Sequence, residues 1–229
     1  SGTNGAMAEY VVVPENCVHV IPDEISMEAA ALAEPFTCCV KAVYDGVNLK
    51  ASDTVVITGP GPIGLIVLQL VKACGCKVMV LGISKDAEKL DLAKELGADY
   101  IAFSNDNNEA MESIKEAFGP LGADFVFECS GAEPAVNLCL HCVKKGGTYV
   151  QVALFGKPMT VDFNSIVMRE IHIIGSFSQN SIWWDKAIHL LTEQKNINLE
   201  KLISGIYSLE NWQEAFTKAI SGEGLKYLL

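Results

Sequence analysis

Thr54-Val55-Val56-Ile57-Thr58-Gly59-Pro60-Gly61-Pro62-Ile63-Gly64 is the stretch on which the fold turns. Five β-favouring residues run into three glycines spaced G-x-G-x-x-G, and an apolar helical pattern opens at Pro62. Each glycine has its own physical use in this frame. Gly59 permits the tight turn, Gly61 lets backbone N–H groups approach a pyrophosphate, and Gly64 lets helix and strand pack closely. The helix start at Pro62 and Ile63 adds unpaired donors and partial positive charge for the phosphates. Glycines at this spacing also occur in ordinary turns; a surrounding βαβ frame separates the two cases.

The sequence supplies that frame. Downstream, apolar runs at Lys77 to Leu81, Tyr100 to Phe103, Asp124 to Glu128, Thr148 to Val152 and Ile171 to Ile174 alternate with helical patterns. The helices are expected from Pro62 to Cys74, Lys85 to Leu96, around Met111, Ile114 and Phe118, from Glu133 to Val143, and around Trp184, Ala187, Ile188 and Leu191. The runs are apolar throughout rather than alternating, as in a parallel sheet covered on both faces. The expectation is an α/β, Rossmann-type doubly wound sheet, with remnants of a β-rich domain at both ends.

The end of the second strand bears on the cofactor. An NAD site commonly places an Asp or Glu there for the ribose hydroxyls. Here the strand ends Val80-Leu81-Gly82-Ile83-Ser84-Lys85. Gly82 removes a charge that would repel a 2′-phosphate, while Ser84 and Lys85 offer a hydrogen bond and a positive charge. This argues for NADP over NAD. Asp86 is read as serving the dipole of the helix it begins, and Ser84 is also placed to cap it.

Composition narrows the classes. The chain has 229 residues, half of them hydrophobic, with a formal net charge of −11. That acidity opposes non-specific nucleic-acid binding. The longest apolar stretch, Pro62 to Val71, is too short to span a bilayer, and Ser1 to Gly5 carries no signal-peptide pattern. A cytoplasmic protein is expected. The eight cysteines read as reduced thiols. Cys74-x-Cys76 and Cys139-x-x-Cys142 have no second ligand pair nearby and are read as buried thiols rather than metal ligands.

The ends are harder to read. Ala8 to Val13 and Cys17 to Ile21 look like strands, and Asp23 to Leu32 like a helix with Ser26 as N-cap. After Asn196 a short pattern leads to a helix carrying Leu209, Trp212, Phe216 and Ala219 on one face. The expected division is residues 1–38 as the remnant of a catalytic domain, 39–195 as the dinucleotide-binding domain, and 196–229 as a return to the catalytic domain.

Taken in order, Gly5-Ala6-Met7-Ala8-Glu9-Tyr10, Ile21-Pro22-Asp23, Ala31-Leu32-Ala33-Glu34-Pro35, the loop at Gly59 to Gly64, Leu96-Gly97-Ala98-Asp99, Phe127-Glu128-Cys129-Ser130-Gly131, Gly146-Gly147, Ile174-Gly175-Ser176 and Gly222 to Leu228 resemble the medium-chain, zinc-dependent alcohol dehydrogenases. The likeness is to the sorbitol, threonine and butanediol branch, and it covers essentially the whole chain. It implies hydride transfer between a secondary alcohol or polyol and a nicotinamide, with zinc lowering the alcohol pKa. It also implies that Ser130, Gly131, Val152, Ala153 and Leu154 flank the adenosine and nicotinamide, that Ser176 and Phe177 close over the nicotinamide ribose, and that Glu34 lies on or near the zinc. A homodimer or homotetramer follows from the same resemblance.

One departure sets the chain apart. The family carries a zinc-ligand Cys and a Gly-His-Glu motif in a longer N-terminal segment, and neither occurs here. None of His19, His141, His172 and His189 is followed by Glu, and all four are read as structural. The sequence is therefore expected to be a shortened form of such an enzyme, inactive by itself and low in zinc. Two other readings stand beside this one: a non-catalytic nucleotide-binding or oligomerisation unit, and a zinc-free quinone-type reductase. Glu34-Pro35 opposes the last, since that branch has no metal needing a carboxylate there.

Overall fold

A computed structural model describes residues 5–229; the reading of Ser1 to Asn4 as free of a signal pattern lies outside them. Six strands form the main sheet: β1 (Thr54–Thr58), β2 (Lys77–Gly82), β3 (Tyr100–Phe103), β4 (Ala123–Glu128), β5 (Val143–Gln151) and β6 (His172–Gly175). Their order is β3-β2-β1-β4-β5-β6, and every neighbouring pair is parallel. This is the doubly wound order expected of a Rossmann-type sheet. Its direction reverses between β1 and β4, which opens a crevice at their carboxyl ends.

The helices are α1 (Met27–Ala30), α2 (Ala33–Tyr44), α3 (Pro62–Ala73), α4 (Ala87–Glu95), α5 (Asn107–Phe118), α6 (Glu133–Cys142), α7 (Phe163–Arg169), α8 (Ser181–Glu193) and α9 (Trp212–Ser221). On one face of the sheet, Leu65, Ile66, Val67, Leu68, Leu70 and Val71 of α3 are all buried. They pack with Phe36, Cys39, Val40 and Val43 of α2 and with Ala187 of α8. Each large side chain so buried is worth about 1.5–3 kcal/mol of transfer free energy. The one buried polar residue of α3, Gln69, is satisfied: its Nε2 donates to the Leu65 carbonyl at 3.2 Å and its Oε1 accepts from the Asn198 N–H at 2.6 Å. That second bond ties the C-terminal segment to the core. The opposite face buries Val56, Met79, Leu81, Val126, Val136, Cys139 and Cys142, so both cysteines of the C-x-x-C pair pack as small hydrophobes.

Three expectations are corrected. Ala8 to Val13 and Cys17 to Ile21 form no strands; only a 3₁₀ turn at Glu15–Cys17 interrupts the segment. Val12 is 93% exposed and Val20 86%. Strand-like composition needs a neighbour to supply hydrogen bonds, and none of the described residues pairs there. The helix from Asp23 begins later: the Ser26 Oγ does accept from the Ala29 N–H at 3.1 Å, but it caps only the short α1. Leu32 then leaves helical geometry, and α2, unforeseen in the sequence, runs through residue 38 without a break. At the other end, β7 (Ile203–Ile206) and β8 (Lys226–Leu228) pair in parallel around α9.

Candidate dinucleotide cleft

The turn between β1 and α3 is shaped by its glycines. Gly59 has φ +88°, and a Cβ there would stand 2.9 Å from the Ser130 backbone. At Gly64 a Cβ would meet the Gly59 carbonyl oxygen at 2.0 Å. Gly61 is different: nothing lies within 4 Å of its Cβ position, so the space above it is open. Gly61 is the N-cap of α3, with Pro62 as the first helical residue. Proline there costs no hydrogen bond and fixes φ for the helix. The helix N-terminus thus points its free donors at an empty cradle, a feature of anion-binding turns.

This cradle forms one wall of a cleft of about 530 Å³. Gly59, Pro60 and Gly61 line it from β1, Gly82, Lys85, Asp86 and Lys89 from the end of β2, Ser104 and Asn105 from β3, and Cys129, Ser130 and Ala132 from β4. The volume suits a dinucleotide lying across the carboxyl ends of the strands. Gly82 is crowded: a Cβ there would be 2.9 Å from Pro60 Cγ and 3.2 Å from Asp86 Cβ. A carboxylate-bearing residue at this position, which commonly serves the ribose, would have to push the Pro60 ring aside.

Nearby charges are partly committed. Asp86 accepts from the Ile83 N–H at 3.1 Å and lies 3.8 Å from Lys89 Nζ. It therefore braces its turn while also facing the cleft, a position the sequence did not reveal. Ser84 is turned aside: its N–H and Oγ both donate to Asn105 Oδ1, at 2.9 and 2.8 Å. Lys89, not singled out from sequence, joins Lys85 at the cleft. Its place on the first turn of α4 was the available signal, since a residue there faces back toward the β2 end.

The remaining expected site residues fall in adjoining loops. Val152 and Ala153 both donate their N–H groups to the Glu128 carbonyl at 3.0 Å. Gly131, with φ +70°, lies against Leu154, whose carbonyl oxygen would be 2.8 Å from a Cβ at Gly131. Leu154 and Phe177 are largely exposed, and the Ser176 N–H donates to the Gln151 carbonyl at 2.9 Å. Pro62, Ile63 and Gly64 form the first turn of α3 at the cradle and are not among the residues that line the 530 Å³ cleft.

Glu34 sits exposed in the first turn of α2. Cys38 Sγ lies 3.6 Å from its Oε1, and Gln179 Nε2 donates to the same oxygen at 3.3 Å. Burial, with Glu34 close by, pushes the Cys38 thiol up to about 11, so it is protonated at neutral pH. A three-ligand zinc site needs a third nitrogen, sulfur or carboxylate donor. Among the described residues no three His, Cys, Asp or Glu side chains converge to hold a metal ion. The donors present do not fit a complete zinc centre. His19 stacks on Trp184 with ring centroids 5.1 Å apart and lies 3.6 Å from Asp185; His141 Nδ1 lies 2.6 Å from the Asn137 carbonyl. Both are engaged in local structure.

A parallel sheet of this order, with a glycine cradle at its switch point, defines a nucleotide-binding α/β protein. Residues 62–193 match the family described as zinc-binding dehydrogenase, and the chain belongs to that family. It is 44% identical to a D-arabitol-phosphate dehydrogenase of Enterococcus avium over 99% of its own length and 64% of that protein. It is 37% identical to a sorbitol dehydrogenase of Halalkalibacterium halodurans, over 99% of this chain and 65% of the relative. The chain thus spans just under two thirds of these relatives. Among solved structures, 2R,3R-butanediol dehydrogenase of Bacillus subtilis aligns with a TM-score of 0.87 at 29% identity, covering 98% of this chain and 63% of that one. A zinc-binding dehydrogenase of Sinorhizobium meliloti 1021, solved bound to NADP, aligns with a TM-score of 0.83 at 30% identity, covering 93% and 62%.

Proposed function

We propose that this chain is the cofactor-binding part of an NAD(P)-dependent polyol or polyol-phosphate dehydrogenase, and that it favours NADP. The single supporting observation is the cradle at Gly61, open above the N-terminus of α3 and continuous with a cleft that ends at Gly82, Lys85 and Lys89. The α3 N-terminus and the Gly61 backbone hold the pyrophosphate. Lys85 and Lys89 meet the 2′-phosphate, and Lys89, 3.8 Å from Asp86, also offsets the charge that this carboxylate turns toward the cleft. Ser130, Gly131, Val152, Ala153 and Leu154 flank the adenosine and the nicotinamide, and Ser176 and Phe177 close the nicotinamide ribose. In the whole protein the bound nicotinamide accepts hydride from a secondary alcohol. The relatives' names, which include a phosphorylated pentitol and sorbitol, support a polyhydroxylated substrate.

Glu34, exposed beside Cys38 and Gln179, faces the reacting end in this reading, on or near the zinc. A second reading, a nucleotide-binding unit without chemistry of its own, is favoured by the lack of three converging metal donors among the described residues. The open edge of β6, where Ile173 is half exposed, suits pairing with a second copy in a homodimer or homotetramer. Eight free cysteines suit a reducing compartment such as the cytoplasm, and no helix among the described residues is long and apolar enough to cross a membrane.

Fluorescence titration with NADPH and NADH at one salt concentration tests the proposal. Tighter NADPH binding is expected. Tighter NADH binding would overturn the cofactor preference, and binding of neither would overturn the cleft assignment.

A further inference from the structure

We infer that Glu128 and Gln151 form a positioning pair that sets the nicotinamide end of the cleft; the inference rests on the dinucleotide reading above. Glu128 is the last residue of β4 and is fully buried. Its carboxylate is met by neutral donors. Oε1 accepts from the Ser130 N–H at 2.9 Å, the Ser130 Oγ at 2.5 Å, the Gly131 N–H at 3.0 Å and the Thr58 Oγ1 at 3.3 Å. Oε2 accepts from Gln151 Nε2 at 2.8 Å. Gln151 Nε2 also donates to the Ala153 carbonyl at 2.8 Å, and Gln151 Oε1 accepts from the Tyr149 hydroxyl at 2.5 Å.

A buried carboxylate is costly unless its oxygens are saturated with donors. Hydrophobic residues would fill the same space at lower cost, so the arrangement calls for a use. The bonds join the carboxyl ends of β1, β4 and β5, the three strands that meet at the crevice. They turn the Ser130 and Gly131 N–H groups inward and press the Ser130 backbone against Gly59. Through Gln151 they also fix Ala153 beside Gly131. The two loops read as flanking the adenosine and the nicotinamide are thereby held at one spacing from the pyrophosphate cradle.

A carboxamide at position 128 cannot do this. It brings an NH₂ group against either the Ser130 and Gly131 N–H groups or the Gln151 NH₂. Rotating Gln151 to relieve the clash sets its own carbonyl against that of Ala153. The two members differ in reach: Ser130, bonded to Glu128, lines the cleft beside Gly82, Lys85 and Lys89, whereas Gln151 leads only to Ala153, outside that part of the cleft.

The test is to titrate the chain and its Glu128→Gln and Gln151→Leu variants with NADPH and with 2′-AMP, which occupies only the adenosine end, following thermal unfolding in parallel. The expected result is a loss of about tenfold or more in NADPH affinity in each variant, the scale of one charge-assisted bond, with 2′-AMP affinity in Gln151→Leu changed by less than about twofold. Equal weakening of both ligands in Gln151→Leu would mean general loosening and would overturn the positioning role, as would unchanged NADPH affinity in either variant. If Glu128→Gln does not fold, Gln151→Leu decides. A parent chain that binds neither ligand overturns the dinucleotide reading itself, whereas a parent that binds both while the variants fail the pattern overturns only the pair.

Discussion

Gly64 lies so close to the turn it follows that a Cβ on it would stand 2.0 Å from the Gly59 carbonyl oxygen. Helix α3 and strand β1 can approach this closely only because the third glycine of the motif has no side chain. Gly64→Ala must push the Gly59 peptide or the helix aside, and neighbouring Ile57 leaves little room, at 3.5 Å. The expected loss of stability is about 3 kcal/mol, the upper part of the range for overpacking a filled core. Urea unfolding measures it, and an unchanged midpoint would contradict the packing.

Gly61 gives the opposite behaviour from the same motif. Its φ of −77° and ψ of −179° are open to any residue, and its Cβ position is unobstructed. Gly61→Asp should therefore fold with near-parental stability. A carboxylate about 5 Å from a phosphate oxygen is opposed by roughly 3 kcal/mol at an effective dielectric constant near 20. NADPH affinity should fall by about a hundredfold. Unchanged affinity in the folded variant would remove the phosphate-loop assignment.

Gly82→Asp tests the cofactor preference. The new side chain displaces the Pro60 ring, which lies 2.9 Å from the Cβ position, at an expected cost of about 1–3 kcal/mol. Its carboxylate then opposes a 2′-phosphate and favours a free ribose hydroxyl. The ratio of NADPH to NADH affinity should fall by about tenfold or more. A ratio that stays constant would place the 2′ position elsewhere in the cleft.

Periodicity made β1 legible to the residue, because a strand covered on both faces is an unbroken apolar run with turn residues at each end; β3, at the sheet edge with Tyr100 and Phe103 exposed, kept the same apolar run and the same bounds. It misled at Ala8 to Val13, where strand-favouring valines are exposed without a partner; composition records a propensity and carries no information on pairing. It passed over α2, although Phe36, Cys39, Val40 and Val43 recur at helical spacing. Pro35 sits in the first turn of α2, where it is tolerated, yet it reads in sequence as a break. At the candidate site, the spacing of Gly59, Gly61 and Gly64 marked the tight turn, the open position and the close helix–strand contact. Glu128 did not, since a strand-terminal glutamate looks solvated until three strands converge on it.

Glu34 and Cys38 offer two donors on one helical turn, and the described residues add no third. Purified chain should hold far less than one zinc per molecule by elemental analysis after dialysis against free metal. Near-stoichiometric zinc would mean that Glu34, Cys38 and a neighbour such as Cys39 rearrange to bind it. Cys39 starts from a poor position, because burial raises its thiol pKa well above the usual value, and a thiolate is the ligand form.

Two carboxylates fasten the amino-terminal side of the sheet and should govern its acid stability. Burial alone would raise the Asp99 pKa, but bonds from Lys72 Nζ and the Val78 N–H, both at 2.7 Å, outweigh it and hold Asp99 below its ordinary 3.8. Burial likewise opposes ionisation of Asp124, and Lys144 with the Thr54 Oγ1 and N–H, at 2.6 and 2.8 Å, outweighs it. Because each folded-state pKa is depressed, the folded protein binds fewer protons than the unfolded chain. The stabilisation is present above the ordinary value of 3.8 and is lost as pH falls through the depressed folded values. Urea unfolding from about pH 7 to pH 3 should show stability dropping steeply only at the acid end. Asp99→Asn combined with Asp124→Asn should start less stable at neutral pH and fall more shallowly through that window. Parallel curves for parent and double variant would show that these two groups do not carry the acid transition.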